Sequence, residues 1–345
     1  MQGFAVLPIA APLLRWYKQN ARQLPWRENT DAYRVWVSEI MLQQTRVEAV
    51  KPYFLRFISA LPDIAALADV PEEELLKLWE GLGYYSRARN LQRTANIVVE
   101  EFAGRLPASM DELQKLPGIG PYTAGAVASI AYSIPAPAVD GNVMRVLARL
   151  SDCTLDISER ETRRAAEQAA IQMLPADSPG AFNQALMELG ACICLPNAAP
   201  RCEACPVATM CMGRAAGTTA SLPVKKKKAA RRQEELTVFA LRQGEWFAVR
   251  KRTAKGLLAG LWELPNVPGY LDERAFAQTL SEWGAVPTGN IAQYAKKHIF
   301  THVEWHMRVF SLAVELKHLP EGWEWTQVEQ GEYALPTAFR ICLRH

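Results

Sequence analysis

The stretch LPGIGPYTAGAVASIAYSIPAPAVDGNVMRV, residues 116–146, decides the fold of the larger part of this chain. Its small residues predict a helix over residues 122–131. An extended, proline-containing segment then leads to Asp140, and a second helix is predicted over residues 143–150. The stretch therefore places one carboxylate at a fixed position, directly before the start of a helix, where the helix dipole and the free amides should keep it ionised.

Two glycines, Gly118 and Gly120, open this stretch as a tight hairpin. Glycines leave backbone N–H groups uncovered, and the helix that follows presents the positive end of its dipole. Because both features favour an anion, the hairpin predicts a phosphate site.

The composition is that of a globular protein of about two domains, since the chain has 345 residues with 49% apolar and 22% charged side chains. The net charge is only +3, so affinity for nucleic acid must come from local basic clusters. No run of 18 apolar residues and no basic leader occurs. We therefore expect a cytoplasmic protein, nucleoid-associated in a bacterium, that does not bind membranes.

Composition and periodicity divide the chain into three parts. Residues 1–213 read as helices joined by short loops, residues 214–234 as a linker with a basic run, and residues 235–345 as an α+β domain. The basic run, KKKK followed by two arginines, suits a phosphate backbone but also occurs as a solvated charge run. In the last part, strands are predicted over residues 235–242, 245–252 and 302–316, and a helix over 273–283. The histidine-containing segment 298–306 is predicted as a loop that leads into the long strand.

Glu39 lies on a helix predicted to start after an Asp31 cap. No cation occurs among its neighbours at helical spacing, which are Val35, Trp36, Leu42 and Gln43. A carboxyl group in such surroundings has a raised pKa, which suits a general acid. On local sequence alone, a solvent-facing glutamate is the commoner alternative.

Two loops combine arginines with aromatic rings. The loop at residues 22–27 suits a flat, hydrogen-bonding ligand, or is a surface loop with one packed tryptophan. The second loop, residues 80–89, lies between two helical segments predicted within residues 62–103. Its aromatic rings either stack on nucleic-acid bases, or the loop is a helix end followed by core tyrosines.

Five of the seven cysteines lie within residues 192–211, which favours a metal site in a reducing compartment over disulfides. A C-x7-C-x2-C-x5-C spacing suits an iron–sulfur cluster, with zinc as the alternative. Cys192 is a spare thiol near the first ligand. The four cysteines of this spacing are Cys194, Cys202, Cys205 and Cys211.

The chain also contains five longer motifs: LPWR at 24–27, SEIMLQQTRV at 38–47, GLGYYSRARN at 81–90, VDGNVMRV at 139–146 and FNQALMELGA at 182–191. With the features above, these motifs resemble the helix-hairpin-helix DNA glycosylase superfamily, in the iron–sulfur branch that contains endonuclease III and, within it, the adenine DNA glycosylases. The resemblance implies a [4Fe-4S] cluster and a monomer acting on double-stranded DNA with 8-oxoguanine:A or G:A mispairs.

The resemblance also implies roles for individual residues. Glu39 protonates the base, Asp140 stabilises or attacks the sugar, Asn142 orients water or Asp140, and Tyr122 supports Asp140. Lyase relatives carry a Schiff-base lysine at the position of Tyr122, so a monofunctional glycosylase is expected. The adenine pocket comprises Arg22, Leu24, Trp26, Arg27 and Gln184, and the DNA contacts are Leu42, Gln44, Tyr84, Gly118 and Gly120.

Residues 235–345 resemble a MutT/Nudix-like domain through GLLAGLWELPNV at 256–267, although the Glu-rich hydrolase signature is missing. The resemblance implies that Phe300, Thr301 and His302 contact 8-oxoguanine, with Thr301 replacing the usual serine. The cysteine spacing is one residue longer than usual, which leaves Cys192 as a second candidate for the first ligand. Two other functions stay open: an endonuclease III-like lyase on oxidised pyrimidines, and a non-catalytic iron–sulfur DNA-binding protein.

Overall fold

The computed structural model describes residues 3–196, 198–226, 230–253, 255–327, 331 and 333–343. It divides into two compact units, Met1–Asp69 with Arg89–Lys227, and Val70–Ala88 with Lys228–His345. Lys227 and Lys228 of the predicted basic run lie outside the described residues. The second unit therefore includes a stretch that comes from within the helical half of the sequence.

The first half of the chain is helical, and its described residues contain no strand. Three helices occupy residues 62–103, where the sequence predicted two, because Pro71 separates a short fourth helix from the fifth. The helices are α1 Ala10–Asn20, α2 Ala32–Leu42, α3 Val47–Ala60, α4 Ile64–Asp69, α5 Glu72–Leu78, α6 Ser86–Phe102, α7 Met110–Leu113, α8 Pro121–Tyr132, α9 Gly141–Leu150, α10 Arg160–Met173, α11 Pro179–Cys192 and α12 Met212–Ala215.

Polar caps and small residues fix the helices around the stretch at residues 116–146. Asp31 caps α2 by accepting the amide of Arg34, as predicted. Helix α8 is made of small residues, and the chain that follows it returns across its surface. A Cβ on Gly125 would lie 2.0 Å from the carbonyl oxygen of Pro137, so only glycine permits this approach.

A core of apolar side chains joins α1, α9, α10 and α11. Leu13, Val146, Leu147, Phe182 and Leu186 are all fully buried within it. Burial of a side chain of this size contributes about 1.5–3 kcal/mol, so the four helices are held firmly. The start of α9, which carries Asp140, is thereby fixed relative to α11.

The second unit contains a mixed sheet with apolar clusters on both faces. Its central pair, the first and seventh strands, is parallel, and the other pairs are antiparallel. The elements are β1 Arg232–Gln243, β2 Trp246–Lys251, β3 Trp262–Glu263, β4 Asn266–Pro268, α13 Glu273–Glu282, β5 Val286–Pro287, β6 Ala292–Ile299, β7 Val303–Glu315, β8 Trp323–Thr326 and α14 Thr337–Arg340.

The predicted hairpin around Gly244 is confirmed by the pairing of β1 with β2. The prediction of a loop from residue 298 is wrong at its start, because His298 lies in β6 opposite Trp305 of β7. Only residues 300–302 form the connection between these two strands. The sequence of β6, AQYAKKHI, shows no regular alternation of apolar and polar side chains, so a strand was not predicted there. Across the described residues, no helix has the length and apolar character needed to cross a membrane.

Candidate active site

A cavity of about 590 Å³ lies in the first unit, between α2, α8, α9 and α11 and the loop before α2. It brings together the predicted catalytic residues, the predicted adenine pocket and two of the predicted DNA contacts. These residues are Arg22, Leu24, Trp26, Arg27, Glu39, Leu42, Gln44, Tyr122, Asp140, Asn142 and Gln184.

Glu39 is only 6% exposed, on the buried face of α2. Burial raises the pKa of its carboxyl group from 4.5 to about 7. A hydrogen bond from Tyr122 and the charge of Arg27 lower this pKa, whereas the charge of Asp140 raises it, and these effects are smaller than that of burial. Of the two alternatives that the sequence left open, the structure therefore supports the buried carboxyl group with a raised pKa rather than a solvent-facing glutamate, and a pKa of about 7 suits a general acid near neutral pH.

Asp140 caps α9 and accepts hydrogen bonds on both carboxylate oxygens. The Val143 amide lies 2.7 Å from Oδ1, and Nδ2 of Asn142 lies 2.7 Å from Oδ2. The sequence led us to expect a carboxylate kept ionised by the helix start. Burial instead raises its pKa, and the hydrogen bonds and Arg145 only oppose this rise. Asp140 nevertheless receives more donors than Glu39, so the two carboxyl groups have different environments.

Tyr122 supports a different residue from the one expected. Its hydroxyl donates a hydrogen bond to Oε2 of Glu39 and lies 3.9 Å from the sulfur of Met187. The sequence led us to expect support of Asp140, whereas α8 packs against α2 and the hydroxyl group binds Glu39. Burial raises the pKa of Tyr122 well above 10, so the phenol stays a proton donor.

Asn142 is held by the cluster of groups behind it. Its side-chain oxygen accepts a hydrogen bond from Nη2 of Arg145 at 2.9 Å, and the same nitrogen reaches the carbonyl of Gly190 at 2.7 Å. A Cβ on Gly190 would lie 2.7 Å from the Cβ of Asn142. The absence of a side chain at Gly190 therefore leaves the room in which Asn142 directs its side-chain amide at Asp140.

Glu188 is a residue of the cavity that the sequence motifs did not reveal. Its carboxylate is 1% exposed and accepts Nε of Arg22 at 2.6 Å, Nη2 of Arg22 at 3.0 Å and Nη2 of Arg27 at 3.0 Å. Burial favours a higher pKa, but these two arginines outweigh it and lower the pKa of Glu188. The signal was the pair of arginines in residues 22–27, which lack an acidic partner in their own loop.

The hairpin glycines lie outside the cavity. Gly118 has a φ of +78°, and a Cβ there would lie 2.8 Å from the Cβ of Asn90 on α6. Gly120 is the N-cap of α8. Among the described residues, no side chain caps α8 at this end, and the anion site stays a prediction.

The remaining predicted DNA-contact residues belong to the second unit. Tyr84 has a φ of +47° and is 46% exposed, and its hydroxyl lies 2.7 Å from Oγ1 of Thr301. The ring of Phe300 packs between His298 and Trp305, with centroid distances of 4.5 and 4.8 Å. The carbonyl of His302 accepts the Arg232 amide at 3.0 Å. These contacts fix the connection between β6 and β7 and present Tyr84 beside it.

The four predicted cysteine ligands line one small cavity between α9, α11 and the loop that follows. Nη1 of Arg149 lies 3.2 Å from the sulfur of Cys194, a donor suited to a thiolate. Among the residues described, no three His, Cys, Asp or Glu side chains converge as a single ion requires. Four thiols around one cavity, with a guanidinium group beside one of them, are a donor set that fits an iron–sulfur cluster, and zinc stays the alternative. Cys192 instead contacts Glu188, at 3.6 Å.

Comparisons with known proteins agree with this arrangement. The profile of the HhH-GPD superfamily base excision DNA repair proteins matches residues 37–170, and that of the NUDIX domain matches residues 237–345. An adenine DNA glycosylase from Homo sapiens is 36% identical over 96% of this chain and 72% of its own length.

Solved structures show the same helical fold. A thermostable thymine-DNA glycosylase aligns with 28% identity and a TM-score of 0.55, covering 60% of this chain and 95% of its own. Endonuclease III in a non-covalent DNA complex aligns with 25% identity and a TM-score of 0.51, covering 59% and 94%. Helices of the endonuclease III type, a Nudix-like sheet and this level of identity together show that the chain belongs to the adenine DNA glycosylase family.

Proposed function

We propose that this protein removes adenine, by hydrolysis of its N-glycosidic bond, from double-stranded DNA in which the adenine faces 8-oxoguanine or guanine. The observation that carries the proposal is the pair Glu39 and Asp140 in one cavity, the first with a pKa of about 7 and one hydrogen-bond donor, the second with several donors. Two carboxyl groups in unequal environments are the requirement for glycoside hydrolysis.

The target nucleotide must leave the base stack before its glycosidic bond is accessible. Leu42 and Gln44 stand at the end of α2 and line the cavity, in position to fill the gap left in the duplex. The extruded adenine then meets Leu24, Trp26 and Gln184 and the arginines held by Glu188. A cavity of about 590 Å³ accommodates a nucleotide.

Glu39 donates its proton to N7 of adenine. The bond between C1′ and N9 then breaks, and its electron pair leaves with the base. Asp140, oriented by Asn142, stabilises the positive charge on the sugar or attacks C1′. Water adds to C1′, and its proton goes to the Glu39 carboxylate that the first step has generated. The products are adenine and an abasic site.

We propose a monofunctional reaction, because a tyrosine cannot form the imine that strand scission by a lyase requires. Tyr122 is instead engaged with Glu39. Borohydride trapping on substrate duplex tests this point, and the expected adduct is far weaker than that of a true lyase. An adduct of equal strength would mean that another amine acts as the nucleophile.

The remaining parts of the molecule serve recognition. Gly118 and Gly120 bind a DNA phosphate through the amides at the start of α8. Tyr84 intercalates beside the lesion, while Phe300, Thr301 and His302 contact 8-oxoguanine.

Cys194, Cys202, Cys205 and Cys211 hold a [4Fe-4S] cluster, which fixes the loop after α11. The protein acts as a monomer.

Single-turnover base release from 8-oxoguanine:A, G:A and thymine-glycol duplexes tests the proposal. We expect adenine release from the first two duplexes and none from the third. Glu39→Gln and Asp140→Asn should each reduce the rate by at least about a hundredfold. Release only from thymine glycol would identify an endonuclease III-like enzyme, and tight binding without release would identify a non-catalytic DNA-binding protein.

A further inference from the structure

The catalytic cavity includes one residue that comes from the linker. Lys225 lines it together with Ile157, Arg163 and Glu167. Lys225 and Arg163 are exposed, whereas Glu39 is almost fully buried, so these cations stand at the mouth of the cavity and Glu39 at its base. Nothing in the proposed reaction uses this mouth.

The linker is attached to the first unit at this point by several hydrogen bonds. The Ile157 amide donates to the carbonyl of Val224 at 3.0 Å, and Nε of Arg149 donates to the carbonyl of Leu222 at 3.0 Å. The Lys226 amide lies 3.3 Å from Oδ2 of Asp156. Backbone attachment on both sides of Lys225 fixes where its side chain starts, so the cation is a built part of the cavity rim.

Lys225 and Lys226, which are neighbours in the linker, differ in whether their charge is paired with an acid. The ammonium group of Lys226 pairs with Glu159 on the outside of the loop before α10. Within the described part of the chain, the linker's ion pairs with Asp156 and Glu159 are made by Lys226, and none is made by Lys225. Nε of Arg163 donates to the carbonyl of Ile157 at 3.2 Å, so its guanidinium group is held by the same residue whose amide binds Val224 of the linker. Two cations, Lys225 and Arg163, therefore line the mouth together with the acid Glu167.

An extruded nucleotide stays joined to its strand through a phosphate on each side. When the base lies at the bottom of the cavity, these phosphates must lie near its mouth. We propose that Lys225, supported by Arg163, binds a backbone phosphate that flanks the extruded nucleotide. The inference rests on the proposed function and adds a contact to the target strand at the active site, supplied by the linker.

The test uses the full-length protein and a duplex that carries tetrahydrofuran, an inert abasic analogue, opposite 8-oxoguanine. Binding is measured by fluorescence anisotropy over a range of NaCl concentrations. Lys225→Ala should weaken binding by roughly three- to tenfold and reduce the slope of log affinity against log salt by about one. The matched control Lys226→Ala should change affinity by less than about twofold, since Glu159 already neutralises that cation.

A second measurement identifies the phosphate. Replacing one flanking phosphate of the tetrahydrofuran residue with a neutral methylphosphonate should abolish the difference between wild type and Lys225→Ala. The inference is overturned if Lys225→Ala and Lys226→Ala behave alike, or if the difference survives neutralisation of each flanking phosphate in turn. Adenine release by the wild type on an 8-oxoguanine:A duplex, measured in parallel, tests the proposed function separately, because the inert duplex requires no base removal.

Discussion

Replacing Glu39 with glutamine should make the helical unit more stable at alkaline pH. In the unfolded chain the Glu39 carboxyl has its ordinary pKa near 4.5, and in the folded protein burial raises it to about 7. The folded state therefore binds more protons than the unfolded state between these two values. The free energy of unfolding falls as pH rises through this window, because ionisation favours the unfolded chain.

The size of the effect follows from the pKa difference. One unit corresponds to about 1.4 kcal/mol, so the ionisation of Glu39 costs about 3 kcal/mol of stability at pH 8. At pH 5 the ionisation of Glu39 lowers the free energy of unfolding by only about 1 kcal/mol. Glutamine keeps the shape and the oxygen that accepts the hydrogen bond of Tyr122, but it does not ionise. Relative to the wild type, the free energy of unfolding of Glu39→Gln should therefore rise by about 2–3 kcal/mol more at pH 8 than at pH 5.

Urea unfolding at pH 5 and pH 8, with hydrogen exchange followed in α2 and α8, measures this difference in the unit that contains Glu39. Glu188→Gln serves as the control, since Glu188 is equally buried but has a lowered pKa and pairs with Arg22 and Arg27. It should lose about 2 kcal/mol at pH 8 because it leaves two arginines without their anion. An equal gain from Glu39→Gln at both pH values would refute the reasoning, since the gain would not come from ionisation.

Three further predictions concern the reaction and the cluster. The single-turnover rate of adenine release should fall by about tenfold per unit above pH 7, because Glu39 must be protonated, and a flat profile to pH 9 would contradict its role. Gly190→Ala should slow adenine release by at least about tenfold, because its Cβ displaces Asn142, whereas Gly289→Ala, whose Cβ meets nothing within 4 Å, should keep the wild-type rate. Cys194→Ser should lose iron and visible absorption, whereas Cys192→Ser should keep both, since Cys192 contacts Glu188; the reverse result would make Cys192 the ligand.

The sequence predicted local features of the fold well because local chemistry produces them. The helix after Asp31 and the start of α9 at Asp140 follow from polar caps and apolar periodicity. Such features depend on residues a few positions apart, which a sequence displays directly. The raised pKa of Glu39 was only one of two alternatives, since a solvent-facing glutamate was the commoner interpretation of its local sequence, and burial in the folded protein decides between them.

Features that depend on distant segments were missed or wrong. Glu188 lies 166 residues from Arg22, and nothing in its own helix identifies it as the partner of two loop arginines. Tyr122 was expected to support Asp140, whereas the packing of α8 against α2 gives it to Glu39. The burial of Asp140, which reverses the expected direction of its pKa shift, comes from elements that a helix cap alone does not reveal.

Helix α9 shows why such contacts matter for the site as a whole. Its two arginines look like surface residues of an amphipathic helix, yet Arg145 and Arg149 are 7% and 4% exposed. Both turn their guanidinium groups to the cysteine loop: Nε of Arg145 reaches the carbonyl of Cys194 at 2.7 Å, and Nη1 of Arg149 reaches its sulfur. Buried cations need anions or many acceptors nearby, and four cysteine thiolates would supply the anions.

The same helix also carries the catalytic carboxylate at its start. Arg145 bonds to Asn142, and Asn142 bonds to Asp140, so one continuous set of hydrogen bonds runs from Cys194 to the carboxylate oxygen. Asp140 and the two arginines are thus held by a single rigid element packed against α11. Loosening the cysteine loop would remove acceptors from Arg145 and leave its charge buried. The hydrogen bond from Arg145 to Asn142 would then be the first contact of the reaction centre to change. The cysteine loop is therefore expected to support the reaction centre, although it lies outside the cavity.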